Sequence, residues 1–325
     1  MVPDIITARN INHAFSEGFW RLRAAGMRET SRNGDVIVAP GPVITNYQRP
    51  MERVLFNEAR DCNHVFHLME CIWMLAGRND AAWLETFNSN YGKYAETTGS
   101  VHGAYGYRWR RHFGRDQIVQ VRDHLQSNPN SRRAVMAMWD PEMPDMSEAW
   151  KDTPCNTHIY FAPFHGMLDM TVCNRSNDIM WGAYGANVVH MSFLQQVLAE
   201  ALKLDVGSYI QFSNNFHAYA GNEQAARFVE SPPHIEDWYS TYPGAAISLP
   251  ILGDQPLEEF LIDCKLFCED NGMVCQNEFL RTVAEPMRKM YILRKAKKSY
   301  AGVIDGMPQC DWKVAVQQWL KRRET

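Results

Sequence analysis

The sequence has little that would mark a membrane, secreted or nucleic-acid-binding protein. Its 325 residues contain no apolar run near the roughly 18 residues that a membrane helix needs. Its start, Met-Val-Pro-Asp, lacks the basic residues and apolar segment of a secretory signal. A formal net charge of -4 and a pI of about 6.3 argue against a general nucleic-acid binder, which would usually be basic. A small anionic ligand held by a few local arginines stays open.

Paired cysteines are missing too. The eight cysteines form no repeated Cys-x-x-Cys units, and we expect neither a metal site nor disulfides, so a reducing cytoplasm fits. Cys264, Cys268 and Cys275 form the closest group. Because Cys264 and Cys268 are one helical turn apart beside Phe260 and Phe267, core packing is the better interpretation.

Repeats, low-complexity tracts and long linkers are also absent. A composition of 46% hydrophobic and 22% charged residues is that of an ordinary globular protein. Strand and helix patterns interleave without regular alternation, which favours a single α+β domain. The patterns predict helices over residues 12–25, 65–75 and 188–202, and strands over 36–39, 134–139, 158–161, 168–173 and 209–212. From about residue 232 onward they indicate turns and short helices, without a recognisable motif.

What is present is a set of residues suited to nucleophilic chemistry on a phosphorylated ligand. Cys155 follows a proline directly before a predicted strand. A lone cysteine there is commonly a small buried hydrophobe, but it becomes a nucleophile when cations stabilise its thiolate. The pairs Arg132–Arg133 and Arg175–Ser176 offer guanidinium and hydroxyl donors that suit a phosphate. Taken alone, each arginine could equally be a solvated surface residue.

Four stretches, read in order, resemble the thymidylate synthase family, and a fifth closes the set. They are residues 70–80 (ECIWMLAGRND), residues 103–110 (GAYGYRWR), Ser-Arg-Arg at 131–133 followed by Pro-Cys at 154–155, residues 174–187 with NRSND, a glycine and an asparagine, and residues 213–219. Each is weak alone, but their shared order and spacing make the resemblance specific. It covers roughly residues 30–230. It implies one catalytic domain over residues 1–325, with a mixed twisted β-sheet covered by helices and sheet faces packed in a homodimer.

The resemblance implies a nucleotide site. Cys155 would add to C6 of the pyrimidine, and Asn187 would read the base edge. The 5′-phosphate would be held by Arg32, Arg175 and Ser176, together with Arg132 and Arg133 from the other subunit of the dimer. His217 and Tyr219 would contact the ribose 3′-hydroxyl.

The resemblance also implies a folate site, with 5,10-methylenetetrahydrofolate as the one-carbon donor. Glu70 would organise water and proton transfer, and Tyr105 would help remove the C5 proton. Asp178 would contact the pterin. Tyr91 is predicted to lie beside the cofactor as well.

The chemistry accounts for these residue types. C5 of uracil is a poor nucleophile, and thiolate addition at C6 makes it enolate-like, so that it can attack the folate methylene carbon. An arginine beside Cys155 should favour the thiolate. Asn187 can donate to O4 and accept from N3–H of uracil, whereas cytosine reverses that pattern. Cytosine-directed hydroxymethylases of the family use Asp at this position, so dUMP is favoured over dCMP.

Four departures from the synthase pattern bear on the product. Tyr91 and Tyr94 stand in the region where synthases have a tryptophan, and Asn156 replaces the usual histidine after the nucleophile. Residues 181–186 differ from the usual apolar loop, and residues 318–325 are charged where synthases end in an apolar tail. All four changes are placed where they could admit or order water.

The sequence therefore predicts hydroxymethylation of dUMP to 5-hydroxymethyl-dUMP, by an enzyme that serves a phage in the host cytoplasm. A thymidylate synthase making dTMP and a dCMP hydroxymethylase stay open. So does a nucleotide-binding protein without turnover, although the presence of Cys155, Arg175, Asn187 and Glu70 argues against it.

Overall fold

The computed structural model describes residues 3–143, 146–147, 149–234, 236–269 and 275–323. The strands are β1 (Asp4–Ala8), β2 (Met27–Ser31), β3 (Gly34–Val38), β4 (Val43–Tyr47), β5 (Val135–Ala137), β6 (Asn156–Phe164), β7 (Met167–Asn174), β8 (Asn177–Asp178), β9 (Asp205–Ser213) and β10 (Phe216–Tyr219). The helices are α1 (Ile11–Ala25), α2 (His64–Leu75), α3 (Ala82–Glu85), α4 (Tyr105–Tyr107), α5 (Gln117–Ser127), α6 (Asn187–Leu202), α7 (Glu223–Glu230), α8 (Trp238–Thr241), α9 (Leu257–Glu269), α10 (Glu285–Lys295) and α11 (Asp311–Lys321). A 3₁₀ turn covers Tyr91–Tyr94, and π-helical turns cover Arg108–His112, Ile179–Ala186 and Leu280–Ala284.

These strands form two sheets. The larger has the order β1-β4-β9-β7-β6-β5, with β1–β4 and β7–β9 parallel and the other pairs antiparallel. The α+β class and the mixed sheet are therefore confirmed. The smaller sheet, β2-β3-β10-β8, was not predicted. Its edge strand β2 is exposed at every residue, so it carries no alternation of apolar and polar positions that would reveal it.

Helix α2 lies at the centre of the fold. All twelve of its residues are buried, and it packs against α6, α9, α10 and α11. Such a helix carries mostly apolar residues on all its sides because every side meets protein. The Asn63 side chain caps its start by accepting from the backbone N–H of Phe66. Glu70, halfway along this helix, is consequently held in the interior.

The helices predicted from residues 12, 65 and 188 are present as α1, α2 and α6. The region after residue 232 differs from prediction, because α9, α10 and α11 are regular helices of 11 to 13 residues. In α10 only Met287 and Met290 are buried, which is too few to give a clear periodic pattern. Cys264 and Cys268 are buried in α9, which confirms core packing.

One face of the larger sheet is partly open. Along β7 and β9 fully buried residues alternate with half-buried ones, because the helices cover only one side of the sheet. On the other side Tyr160 and Phe164 of β6 and Ile5 of β1 are exposed. In the described part of the chain, no helix is both long and apolar enough to cross a bilayer.

Candidate active site

Two adjoining cavities meet at the loop that leads into β6. The outer cavity, about 570 Å³, is lined by Cys155, Arg32, Arg175, Ser176, His217 and Tyr219 among others. The inner cavity, about 160 Å³, is lined by Glu70, Tyr91, Tyr94, Tyr105, Asp152, Asn187 and His190 among others. Cys155 contributes to the outer cavity, and Asp152 of the same loop contributes to the inner one. The structure therefore brings most of the predicted residues to one cleft.

Cys155 is half-buried at the start of β6. The guanidinium of Arg175 donates from Nε to the carbonyl oxygen of Pro154 and from Nη2 to that of Thr153, each at 3.0 Å. These bonds fix the loop that carries the thiol. Burial raises the pKa of the Cys155 thiol, while the charge of Arg175 and a hydrogen bond with Tyr105 act in the opposite direction. As expected, Arg175 lowers the pKa of the Cys155 thiol, but in the single chain burial raises that pKa by more.

His217 and Tyr219 of β10 form one wall of the outer cavity. The Nδ1 of His217 is 2.7 Å from the Oδ1 of Asn215, and its ring meets the Tyr219 ring edge-on at 5.0 Å between centroids. Burial lowers the pKa of His217, so the imidazole is neutral near pH 7. With the Nδ1 proton donated to Asn215, Nε2 is an acceptor that suits a sugar hydroxyl.

Arg32 lies in the exposed turn between β2 and β3, and Ser176 is half-buried after β7. Both face the outer cavity. Arg132 and Arg133 are exposed, and neither is among the residues that line the two cavities of the same chain. Arg133 instead borders a shallow surface depression with His124 and Asn128. Within one chain, therefore, the predicted phosphate site is only partly assembled.

Asn187 is oriented by a chain of amide contacts at the start of α6. Its Nδ2 donates to the Oδ1 of Asn177 at 3.1 Å, and the Nδ2 of Asn177 donates to the Oγ of Ser213 at 3.0 Å. A Cβ at Gly182 would lie 2.4 Å from the Asn177 Oδ1, so this position must be glycine to leave space for the contact. The Asn187 amide is thereby held in the inner cavity.

Glu70, Tyr91 and His190 form the polar wall of the inner cavity. His190 Nε2 is 3.0 Å from Glu70 Oε2, and both side chains are buried. Burial and the nearby Glu70 raise the pKa of the Tyr91 phenol well above its usual value. Burial and the neighbouring Cys155 do the same for Tyr105. These phenols therefore stay protonated and can act only as neutral hydrogen-bonding groups near pH 7.

His190 and Asp152 were not predicted as site residues. His190 is three residues after Asn187, so the two share a helix face, and that spacing was the signal available. Asp152 is three residues before Cys155. Burial raises the pKa of its carboxyl, opposed by Arg175, and a Cβ at Gly103 would lie 2.4 Å from its Oδ2. The position of the Asp152 carboxyl close to the nucleophile in the sequence was the signal that could have identified it as a site residue.

Asp178 carries an unmet acceptor. Its Oδ2 accepts from the backbone N–H of Trp181 at 2.6 Å, but its Oδ1 is buried without a hydrogen-bond partner among the described residues. Burial raises the pKa of this carboxyl to about 6, although backbone donors lower it. An orphaned carboxylate oxygen fits the N–H donors of a pterin ring. The predicted folate contact is thus chemically consistent with the residue present.

Two of the four departures, Asn156 and the described part of residues 318–325, are not among the residues that line the two cavities. Asn156 is buried, its Nδ2 donates to the Oδ1 of Asn174 at 2.5 Å, and it is not among the residues that line the cleft. A register shift between Asn156 and His158 breaks the alternation of β6 and turns Asn156 inward, so that Asn156 ordering water at the site stays a prediction. Near the end of the chain, Arg322 and Arg323 bind Asp61 at 3.0 and 2.6 Å. Residues 324 and 325 lie outside the described residues.

The other two departures border the site. Tyr91 and Tyr94 line the inner cavity, as the sequence suggested. Trp181 is exposed at the start of the π-helical turn, with the Arg60 guanidinium 4.7 Å from its ring centroid. Within the described residues, no group of three or more His, Cys, Asp or Glu side chains is arranged to hold a metal ion.

This fold and this site define a one-carbon transferase, with a cysteine between an arginine-lined cavity and a polar inner cavity. The chain belongs to the thymidylate synthase family, because the family profile described as thymidylate synthase matches residues 29–237. The predicted family and class of enzyme are thereby confirmed, as is 5,10-methylenetetrahydrofolate, the one-carbon donor that the family uses.

Relatives and a solved structure agree with this assignment. The chain is 39% identical over 334 residues to the deoxyuridylate hydroxymethyltransferase of Pseudomonas phage M6, covering 98% of this chain and 94% of the relative. It is 32% identical to the protein of the same name from Bacillus phage SP01, covering 61% and 56%. The crystal structure of thymidylate synthase from T4 phage matches with a TM-score of 0.53 at 23% identity, covering 67% of this chain and 81% of that one, which supports the shared fold.

Proposed function

We propose that this enzyme hydroxymethylates dUMP at C5, giving 5-hydroxymethyl-dUMP. The observation that carries the proposal is the position of Cys155, at the junction between the arginine-lined outer cavity and an inner cavity that holds Asn187 and Glu70. The similarity to phage proteins named deoxyuridylate hydroxymethyltransferase supports the same substrate and product. We place the enzyme in the cytoplasm of an infected host.

The mechanism begins with nucleotide binding. Arg32, Arg175 and Ser176 hold the 5′-phosphate, while the neutral ring of His217 and the hydroxyl of Tyr219 contact the 3′-hydroxyl. This anchoring places C6 of the base against the Cys155 sulfur. Burial raises the pKa of the Cys155 thiol, and positive charge nearby lowers it. The thiolate therefore forms when Arg175, together with Arg132 and Arg133 of the second copy, offsets the effect of burial.

Covalent addition then activates the base. A bond forms between Cys155 and C6, and C5 gains enolate character. Methylenetetrahydrofolate would supply the one-carbon unit that C5 receives and would depart as tetrahydrofolate, and Asp178 would hold the pterin through its orphaned carboxylate oxygen. Tyr105, close to Cys155, stays protonated and assists by hydrogen bonding, while the C5 proton passes to water. The pyrimidine is left with an exocyclic methylene at C5.

Uracil is the base that the site favours. The Nδ2 of Asn187 bonds to Asn177, which fixes the amide in one orientation and leaves its Oδ1 to accept from N3–H of uracil. The N3 of cytosine has no hydrogen to donate to that oxygen.

Water, rather than a hydride, completes the reaction. A synthase must shield the methylene from water, whereas Tyr91 and Tyr94 stand here in the region of the synthase tryptophan. The inner cavity is also lined by the polar groups of Glu70, Asp152 and His190. Such a wall binds water readily, since each buried polar group needs a hydrogen-bond partner.

The open sheet face and the incomplete phosphate site support a dimer. We propose that the face bearing Tyr160 and Phe164 packs on a second copy, which delivers its Arg132 and Arg133 to the outer cavity. A mixed dimer of Cys155→Ala and Arg132→Ala/Arg133→Ala chains should regain activity, because one of its two sites is then intact. No recovery on mixing would contradict the shared site, and monomeric sedimentation would contradict the dimer.

Product identification tests the function. The protein is incubated with methylenetetrahydrofolate and either dUMP or dCMP, and nucleotide and folate products are identified by mass. We expect 5-hydroxymethyl-dUMP with tetrahydrofolate. Formation of dTMP with dihydrofolate would identify a synthase, and preferential turnover of dCMP would overturn the base assignment. An absence of turnover with intact nucleotide binding would favour the non-catalytic alternative.

A further inference from the structure

A buried histidine lies against the central carboxylate of the inner cavity. His190 is 3% and Glu70 is 6% exposed, with His190 Nε2 3.0 Å from Glu70 Oε2. In the described part of the chain neither atom makes an aligned hydrogen bond, and the Nδ1 of His190 is buried without a partner as well. Three polar atoms with unmet hydrogen-bonding capacity therefore lie together beside the cavity.

The local structure explains why they meet. His190 is one helical turn after Asn187 on α6, so both side chains project from the same face. Glu70 projects from α2, which packs against α6, and all three residues line the inner cavity. Since Asn187 faces the base in the proposed function, the Glu70–His190 pair lies on the same wall, near the substituent at C5.

The environment suits a bound water molecule. Burying a carboxylate is costly unless hydrogen bonds compensate, and a 3.0 Å contact without alignment compensates only in part. A water molecule needs two to four polar partners and at least about 10–15 Å³ of space. The pair supplies the partners, and the cavity of about 160 Å³ supplies the space.

The family resemblance already gives Glu70 a part in organising water. We propose that His190 is a positioning residue for this reaction: it fixes the Glu70 carboxylate and shares the proton of the water that attacks the exocyclic methylene. The proposal rests on the proposed hydroxymethylation. It assigns the choice of product to a residue pair rather than only to the absence of a shielding tryptophan.

The step balances without an oxidant or reductant. The water oxygen bonds to the methylene carbon while one water proton passes to the Glu70–His190 pair. The electrons of the C5–methylene double bond move into the ring and form an enolate. They then re-form the C5–C6 double bond as the Cys155–C6 bond breaks, which releases the thiolate. The pair returns its proton to solvent.

Other titratable groups face the pair. His67, one turn before Glu70 on α2, has a pKa held well below its usual value by burial, so its ring is neutral. Tyr91 contributes a protonated phenol. Asp152 also lines the inner cavity, and burial raises the pKa of its carboxyl. Asp152 is the rival base, and the experiment must separate it from the pair.

The test measures how well proton loss at C5 is coupled to product formation. Tritium release from dUMP labelled at C5 and formation of 5-hydroxymethyl-dUMP are followed in the same reaction. In His190→Leu we expect product formation to fall about 100-fold, a typical contribution of acid–base catalysis, while tritium release falls less than about tenfold. His190→Gln, which keeps an N–H donor, should lose less. Added 2-mercaptoethanol should trap the waiting methylene as a thioether.

Control variants distinguish a role of His190 in the reaction from a structural role. His67→Gln removes a neighbouring buried imidazole and should keep product formation coupled to tritium release. A parallel fall of both signals in His190→Leu and His190→Gln would show a structural role and overturn the inference. If Asp152→Asn separates tritium release from product formation while both His190 variants keep the two signals coupled, Asp152 is the base and the inference is overturned. If the wild type makes dTMP, the proposed function itself fails, whatever the variants do.

Discussion

The outer and inner cavities solve different problems with different surfaces. The outer cavity is larger, and its cationic groups, Arg32 and Arg175, are exposed. The inner cavity is small, and Glu70, Asn187 and His190 are buried in it on α2 and α6. Charge–charge contacts at an exposed site are screened by solvent and individually weak, whereas buried polar contacts are strong and sensitive to geometry.

The difference separates binding from chemistry. Losing one outer-cavity group should weaken nucleotide binding by a modest factor, because neighbouring cations remain. Losing one inner-cavity group should alter which base reacts or which product forms, because each buried polar group has a single task. Cys155 lines the outer cavity close to this boundary, and losing it should abolish the reaction itself.

The largest effect is expected from Cys155→Ala, which removes the nucleophile. Turnover should fall by at least about 10⁴-fold, since the covalent route is lost altogether. Nucleotide binding, measured by calorimetry, should persist. Cys173→Ala, which truncates a half-buried cysteine on the neighbouring strand β7, is the matched control and should keep turnover. Equal losses in the two variants would remove Cys155 from the mechanism.

Asn187→Asp should give the next largest effect, on the inner cavity alone. A carboxylate pairs poorly with O4 of uracil, while a protonated one can match cytosine. We expect the ratio of kcat/KM for dCMP to that for dUMP to rise by about 100-fold or more, because a hydrogen-bonding site rejects the mismatched partner strongly. Steady-state kinetics with both nucleotides give this ratio. An unchanged ratio would mean that the base edge is read elsewhere.

Asp178 should make folate binding depend on pH. Its carboxyl has a pKa of about 6, and donors from the pterin favour the ionised form. Lowering the pH through 6 protonates the free protein, so the KM for the folate should rise by about tenfold per pH unit below that value. Asp178→Asn should bind folate weakly at pH 7 and lose this dependence. A wild-type profile that is flat between pH 5 and 7 would argue against the contact.

The smallest effect is expected at the outer cavity. Arg32→Ala should raise the KM for dUMP by up to about fivefold and leave kcat nearly unchanged, because an exposed ion pair contributes at most about 1 kcal/mol. The effect should shrink as salt is added. A large loss of kcat in this variant would contradict the proposal that the outer cavity serves binding and the inner cavity serves chemistry.

The sequence predicted the parts of the molecule that have strong local patterns. Helix α2 and the strands on either side of the Cys155 region were found because their apolar residues are dense. The order of motifs then singled out Cys155, which lines the outer cavity, and Asn187, which lines the inner one. Residues whose type is required by the chemistry, such as a nucleophilic cysteine or a base-reading asparagine, could therefore be recognised from the sequence alone.

The remaining features depend on tertiary contacts. His190 sits between Val189 and Met191, so from sequence it resembles a core residue, and its contact with Glu70 spans two helices. The inward direction of Asn156 depends on the register of β6 against β7, which no local pattern encodes. The exposed strand β2 likewise depends on pairing with β3.

The most direct test of the central claim is to trap the bond between protein and nucleotide. With 5-fluoro-dUMP and methylenetetrahydrofolate, fluorine at C5 cannot leave as a cation, so the reaction should stop with the nucleotide attached to the enzyme. Proteolysis and mass spectrometry should then find the nucleotide and the one-carbon unit on the peptide that contains Cys155. Attachment to another of the eight cysteines, or no attachment while the native substrate still turns over, would contradict the account.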